Sequence, residues 1–161
     1  MKNLQQLVRD FGAARRAYHT LSEQETRIVK DIAIKETERN FHMQGYTGEG
    51  YHPWAARKAS TNKAYDTAKQ YKGSGYSSSR PLLHQTGDLI DAIGNDSYDT
   101  KDMVYIGVNL NQFPGDYPKW LNEGTNKMEA RQWIGFSKRM RDRVVTEFQR
   151  RRNVIFNKFR W

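Results

Sequence analysis

Apolar side chains return at three- and four-residue steps through Leu4, Leu7, Val8, Phe11 and Tyr18, the spacing of one face of an amphipathic helix; despite Gly12 inside it, the helix is predicted to end near His19. Ser22 and Glu25 have capping-box spacing, and behind them Ile28, Val29, Ile32, Ala33 and Phe41 predict a second helix running to about His42. Gly45, Gly48 and Gly50 then mark a loop that closes on Trp54. No Lys-Ser/Thr pair follows these glycines and no strand precedes them, so the segment lacks what a nucleotide loop needs. Trp54 is expected to bury most of its ring against the second helix or the sheet. Arg57 would either stack on that ring or pair with an acid.

Residues 58–71 are polar and compatible with a helix, and Gly73 to Arg80 reads as a solvated loop. The stretch from Leu82 to Ile93 brings a start signal, an apolar face and a stop signal together. Thr86 is placed to cap, Asp88 falls in the first turn, Leu89, Ile90 and Ile93 share a face, and Gly94-Asn95 reads as the stop. So short a helix is marginal alone, so the surrounding fold must hold it and the stretch is a packing hub. A phosphate cradle at Thr86-Gly87-Asp88 would need more glycines and a preceding strand.

Beyond it the period changes. Ile93 and Tyr98 flank a short predicted strand, residues 99–102 supply a turn, and Met103 to Val108 is a second strand, making a hairpin. Gly107 inside that strand predicts a bulge or the close approach of another backbone. Asp116, Pro118 and Gly124 bracket a short helix with Trp120 and Leu121 facing inward. Met128 to Ile134 is predicted to return as a third strand. Phe136, Met140, Val144 and Phe148 form a four-residue-step stripe, so a terminal helix is expected from about Ser137 to about Arg150, with Val154, Ile155, Phe159 and Trp161 able to extend it. The fold class is therefore α+β: N-terminal helices, a small antiparallel sheet with short helices, and a long C-terminal helix. At 161 residues it is one domain, with a helical N-terminus over 1–42, an α+β core over 43–137 and a basic helix and tail over 138–161.

Charge changes this picture at one end. The chain carries a formal +9, and from Lys138 onward nine Lys or Arg face only Asp142 and Glu147. Arg150, Arg151, Arg152, Lys158, Arg160 and Trp161 are accordingly the candidate surface for a partner or for nucleic acid. The apolar residues after Phe148 have too little chain for a core of their own, so this tail is expected to order only against a partner. Cysteine is absent, which excludes disulfides and thiol chemistry. The four histidines, at 19, 42, 52 and 84, show no ligand spacing, and Ser77-Ser78-Ser79 has no base near it. No metal site, cofactor or catalytic residue is expected, and no apolar run has membrane-spanning length. The start of the chain lacks the apolar core of a signal peptide, so synthesis in the cytoplasm is expected.

Phe41, Trp54, Leu82-Leu83-x-x-Thr86-Gly87-x-Leu89-x-x-x-Ile93, Val104-x-Ile106-Gly107, Tyr117-x-x-Trp120-Leu121-Asn-Glu-Gly124-Thr125 and Ala130-Arg131 together resemble the tailed-phage virion morphogenesis family, the tail-completion or head-tail joining proteins. The resemblance runs from about Phe41 to Ser137. It departs where the family places Pro-Phe after the arginine: here Gln132-Trp133 follows Arg131, keeping the bulky aromatic and losing the rigid turn. It implies a non-enzymatic virion protein, present in the host cytoplasm during assembly. Its copies would form a ring, commonly six-fold, at the tail end that meets the head. Implied partners are further copies and neighbouring head-tail connector or tail proteins, with DNA in the passage. Trp54, Thr86, Gly87, Leu89, Gly107, Gly124 and Arg131 are read as fold determinants, with Glu123 expected to pair with Arg131. The rival reading is a nucleic-acid-binding module that uses the basic C-terminal helix, whose aromatics Phe148, Phe156, Phe159 and Trp161 interleave with cations.

Overall fold

The computed structural model describes residues 4–48, 50–69, 76–83, 87–113 and 115–158. Helix α1 (Leu4–Glu23) is followed by α2 (Glu25–Met43) with only Gln24 between them, and Gln24 itself keeps right-handed helical torsions. The expected capping box does not form: Ser22 lies inside the last turn of α1, and the N-cap position is Gln24, without a side-chain cap. Leu21 and Ile28 explain the difference. Seven residues apart, they are both buried, so one apolar face runs through the junction and carries helical backbone across the polar signal.

α2 is the central element, in contact with α1, with two hairpins, and with the later helices α4 (Asp88–Asp96) and α6 (Lys138–Lys158). Its C-terminus closes on Gln44 in the left-handed region (φ 53°), whose N–H reaches the carbonyls of Asn40 and Phe41. The glycine loop beyond it is a hairpin, β1 (Gly45–Tyr46) against β2 (His52–Pro53). A Cβ on Gly45 would lie 2.6 Å from the His52 carbonyl oxygen, which is why that position takes glycine. α3 (Ala59–Thr67) follows the hairpin.

α4 (Asp88–Asp96) sends Leu89, Ala92 and Ile93 into a core completed by Phe41, Trp54, Val108, Leu121 and Trp133. The N-cap position belongs to Gly87 at φ 95°, not to Thr86, which lies outside the described residues. Nor does Gly94-Asn95 stop the helix. The backbone continues to Asp96, whose carboxylate accepts from the N–H of Asn109 at 2.7 Å, while Ser97 N–H takes the Ile93 carbonyl. Ile93 is thus helical. The second hairpin is short, β3 (Tyr98–Asp99) against β4 (Val104–Tyr105), with the Tyr98 and Tyr105 rings stacked 5.1 Å apart.

α5 (Tyr117–Glu123) has Asp116 at its N-cap, Pro118 in its first turn and Gly124 at its end (φ 80°), as its sequence signals predict. Leu121 is buried, but Trp120 is 45% exposed. The inward face belongs to Pro118 and Leu121, one turn apart, and Trp133 occupies the space behind them, its Nε1 donating to the Pro118 carbonyl at 3.1 Å. The predicted third strand is also absent: residues 125–137 hold only the bridge Thr125–Met128. The end of α5 takes the backbone groups such a strand would pair. Arg131 N–H donates to the Leu121 carbonyl at 2.7 Å, and Asn122 Oδ1 accepts from the N–H of both Trp133 and Ile134.

α6 (Lys138–Lys158) begins as expected, with Ser137 Oγ accepting from Met140 N–H at 3.0 Å. Met140 is its buried residue, and Val144 and Phe148 are half-buried. Phe136, one residue before the cap, is 74% exposed and belongs to no stripe. The α+β class holds, with the antiparallel strand pairing among the described residues divided between two separate two-stranded ladders.

Candidate functional site

Five residues of the sequence pattern, Phe41, Trp54, Leu89, Ile93 and Leu121, converge on one centre. Trp54 is buried with its ring edge-on to Phe41 (centroids 5.6 Å apart), and its Nε1 donates to the Gln132 carbonyl at 2.8 Å. Leu89 joins the same core from α4, and Trp133 meets Phe41 at 6.0 Å. Gly124 is required twice over, by its positive φ and by the Ala130 nitrogen that a Cβ would approach to 2.8 Å. At Gly107 the close neighbour is a side chain, the Tyr105 ring, whose Oη would lie 2.7 Å from a Cβ. Its N–H donates to the buried Ser97 hydroxyl at 3.2 Å.

Arg131 departs from expectation. Its Nε donates to the Ala55 carbonyl at 3.0 Å and Nη2 reaches Ala56, so the guanidinium ties the segment after β2 to the end of α5 and makes no ion pair with Glu123. Glu123 is exposed. The guanidinium is held by the Ala55 and Ala56 carbonyls instead, and burial is the main reason the Arg131 pKa falls below its usual value.

Beside Arg131 is a pocket of about 460 Å³ whose walls include Arg57, Tyr65, Leu83, Tyr117 and Leu121. Among the described residues Arg57 neither stacks on Trp54 nor meets an acid. It donates to the carbonyls of Ser78 (3.2 Å) and Pro81 (2.8 Å) and lies over the Tyr65 ring, 5.6 Å from its centroid. Burial, then the neighbouring Tyr65 and Tyr76, pushes the Tyr117 hydroxyl up to about 12. Both guanidinium groups are committed to backbone carbonyls, so the pocket wall works as a clamp on residues 55–57 and 77–81. Among the described residues no group of three or more His, Cys, Asp or Glu is placed to hold a metal ion.

The C-terminal helix takes the longer of its expected lengths. α6 runs unbroken through Arg150-Arg151-Arg152 to Lys158, and Phe156 meets Tyr18 of α1 edge-on at 5.7 Å. Arg150 binds Glu147 with two 2.8 Å hydrogen bonds, Arg151 adds a third at 2.7 Å, and Arg152 lies 3.9 Å from Glu25. These bonds hold the Glu147 carboxyl down at about 2. Arg160 and Trp161 lie outside the described residues.

A second basic feature has no counterpart among the local sequence signals. Between α2 and α6 runs a groove of about 1020 Å³, lined among others by Lys35, Arg39, Lys138, Arg139, Arg143 and Arg151. At its edge the buried Glu36 carboxylate accepts from Arg139 Nε at 3.0 Å and from Arg143. The Arg39 Nε is buried without a hydrogen-bond partner among the described residues. One signal could have pointed to it: Ala33, Glu36, Thr37 and Asn40 recur at core spacing, and polar residues on a buried face require partners.

No helix among the described residues is long and apolar enough to cross a membrane. Compared with known proteins, the chain matches no family model, no curated protein and no solved structure.

Proposed function

We propose that this chain is a structural subunit of a tailed-phage virion, acting in tail completion or head-tail joining as one copy in a ring. The observation that carries the reading is the convergence of its motif residues: Phe41, Trp54, Leu89, Ile93 and Leu121 pack into one cluster, as fold determinants should. The surface is suited to contact with neighbours. Val8, Phe11, Val145, Val154 and Phe156 are exposed apolar side chains of α1 and α6.

Negative-stain microscopy and sedimentation of the purified protein test the reading. Rings of uniform diameter are expected. The genes flanking its reading frame give a second test: portal, head and tail genes support the proposal, and complete, infectious particles assembled without the protein would overturn it.

The rival reading, nucleic-acid binding through α6, draws support from the number of arginines on that helix. Glu147, which already holds Arg150 and Arg151, weakens it. Salt-dependent retention of a DNA duplex by the monomer would favour the rival.

A further inference from the structure

The charge of this chain is divided between two sides of α2. Residues 87–102 contain five aspartates against the single Lys101. Asp99 is bound by Lys30 of α2, and Asp96 accepts from the Asn109 N–H and the Gln112 side chain. Asp91 on α4 and Asp102 in the hairpin turn stay exposed. Around them Tyr98, Met103 and Tyr105 present apolar surface to solvent. The α4–β3–β4 unit is therefore an apolar patch with acidic residues about it, the composition of a protein-protein interface.

The α2–α6 groove is its complement. Ile28 and Ile32 supply apolar lining, and Lys35, Arg39 and Lys138 supply positive charge. Arg39 is one of the groove's cations, and its Nε is buried with no partner within the described residues. Lys30, which holds the hairpin, and Arg39, which lines the groove, are nine residues apart, about two and a half helical turns. They lie on opposite faces of α2. The two patches cannot meet within one copy, and pairing either with itself would oppose like charges.

We propose that the acidic α4–β3–β4 face of one copy docks into the basic α2–α6 groove of the next. This inference rests on the ring reading above and names the contact that would build the ring. Joining two different surfaces head to tail is the heterologous arrangement that closes into a ring or continues as a filament. A second copy fits the groove better than a nucleic acid does. Asp31, Asp142 and Glu147 stand among its cations and would repel a continuous phosphate backbone, whereas separated aspartates on an apolar hairpin can avoid them.

The test is a charge-reversal exchange followed by sedimentation at low and high salt. Wild type is expected to associate with rising concentration, and less so in salt, because the screening length falls from ~10 Å at 0.1 M to ~3 Å at 1 M. Lys35→Glu/Arg39→Glu and, separately, Asp91→Lys/Asp102→Lys should each weaken self-association at least about tenfold. Mixed in equal amounts, the two variants should associate again, because each retains the surface the other has lost. Should Arg39→Glu impair folding, Lys35→Glu/Lys138→Glu alters two exposed groove residues instead. If wild type forms rings that neither variant disturbs, or the mixture fails to recover, this contact is overturned and the ring reading stands. If wild type stays monomeric to its solubility limit at low salt, both fall. If the groove variant assembles normally but loses affinity for a short DNA duplex, the groove is a nucleic-acid surface and the proposal is wrong.

Discussion

The cluster around Phe41 and the helical layer of α1 and α6 are held by different forces. In the cluster, Phe41 and Ile93 are fully enclosed, and two tryptophans spend their ring N–H groups on backbone carbonyls far away in sequence. Full burial of each large apolar side chain contributes roughly 1.5–3 kcal/mol. In α6, a helix of 21 residues, Met140 is the buried side chain, and the contacts of the C-terminal half include Arg152–Glu25 and Tyr18–Phe156. Exposed ion pairs of that kind contribute about 0–1 kcal/mol each. The comparison separates a unit that sets the fold from a layer that sets the surface. It also places the basic charge of α6 in the weaker unit.

The largest effect should come from the cluster. Trp54→Ala is expected to cost about 3–5 kcal/mol in urea unfolding, through a cavity against Phe41 and an orphaned Gln132 carbonyl. Wild-type stability in that variant would mean that the hairpin β1–β2 is not anchored by its ring. Next comes the seam between the units. Glu36→Gln removes the charge to which Arg139 and Arg143 are bound, and a loss of about 1.5–3 kcal/mol is expected because the carboxylate is buried. A change under half that size would show that water serves those arginines equally well.

Removing residues 153–161 should matter less. Phe156 is 63% exposed, so its edge contact with Tyr18 is worth at most about 1.5 kcal/mol, and the truncated protein should melt close to wild type. Cooperative unfolding on truncation would merge the two units and end the comparison. The smallest effect is pH-dependent. Glu147 ionises at about 2 in the fold against an ordinary 4.5, so its contribution is complete above about pH 4.5, declines below it and is lost as pH falls through 2. Glu147→Gln should therefore cost about 0.3–0.5 kcal/mol at pH 7, the usual size for exposed helix pairs, and progressively less as pH falls through 2. An equal difference at both ends would mean that packing, not charge, is what Glu147 provides.

The sequence by itself determined which segments are helical. The periodicity behind α1, α2 and α6, and the Asp116, Pro118 and Gly124 signals of α5, report on neighbours within a turn or two, and the chain obeys them. It also singled out Trp54 and Leu89 as core residues, since large apolar side chains at such positions have few other places to go. What it missed is uniformly non-local. Ser22 and Glu25 form a valid cap signal that the continuous Leu21–Ile28 face overrides. Trp120 and Trp133 are chemically identical, and only the packing of Pro118 decides which of them is enclosed. The third strand is lost because Asn122 and the Leu121 carbonyl claim its hydrogen-bonding groups. Arg131 reaches Ala55 and Arg143 reaches Glu36 across 76 and 107 residues of chain, and no local pattern encodes such a pairing. A buried hydrogen bond is chosen by whichever partner the assembled core brings within about 3 Å, so those choices belong to the tertiary structure alone.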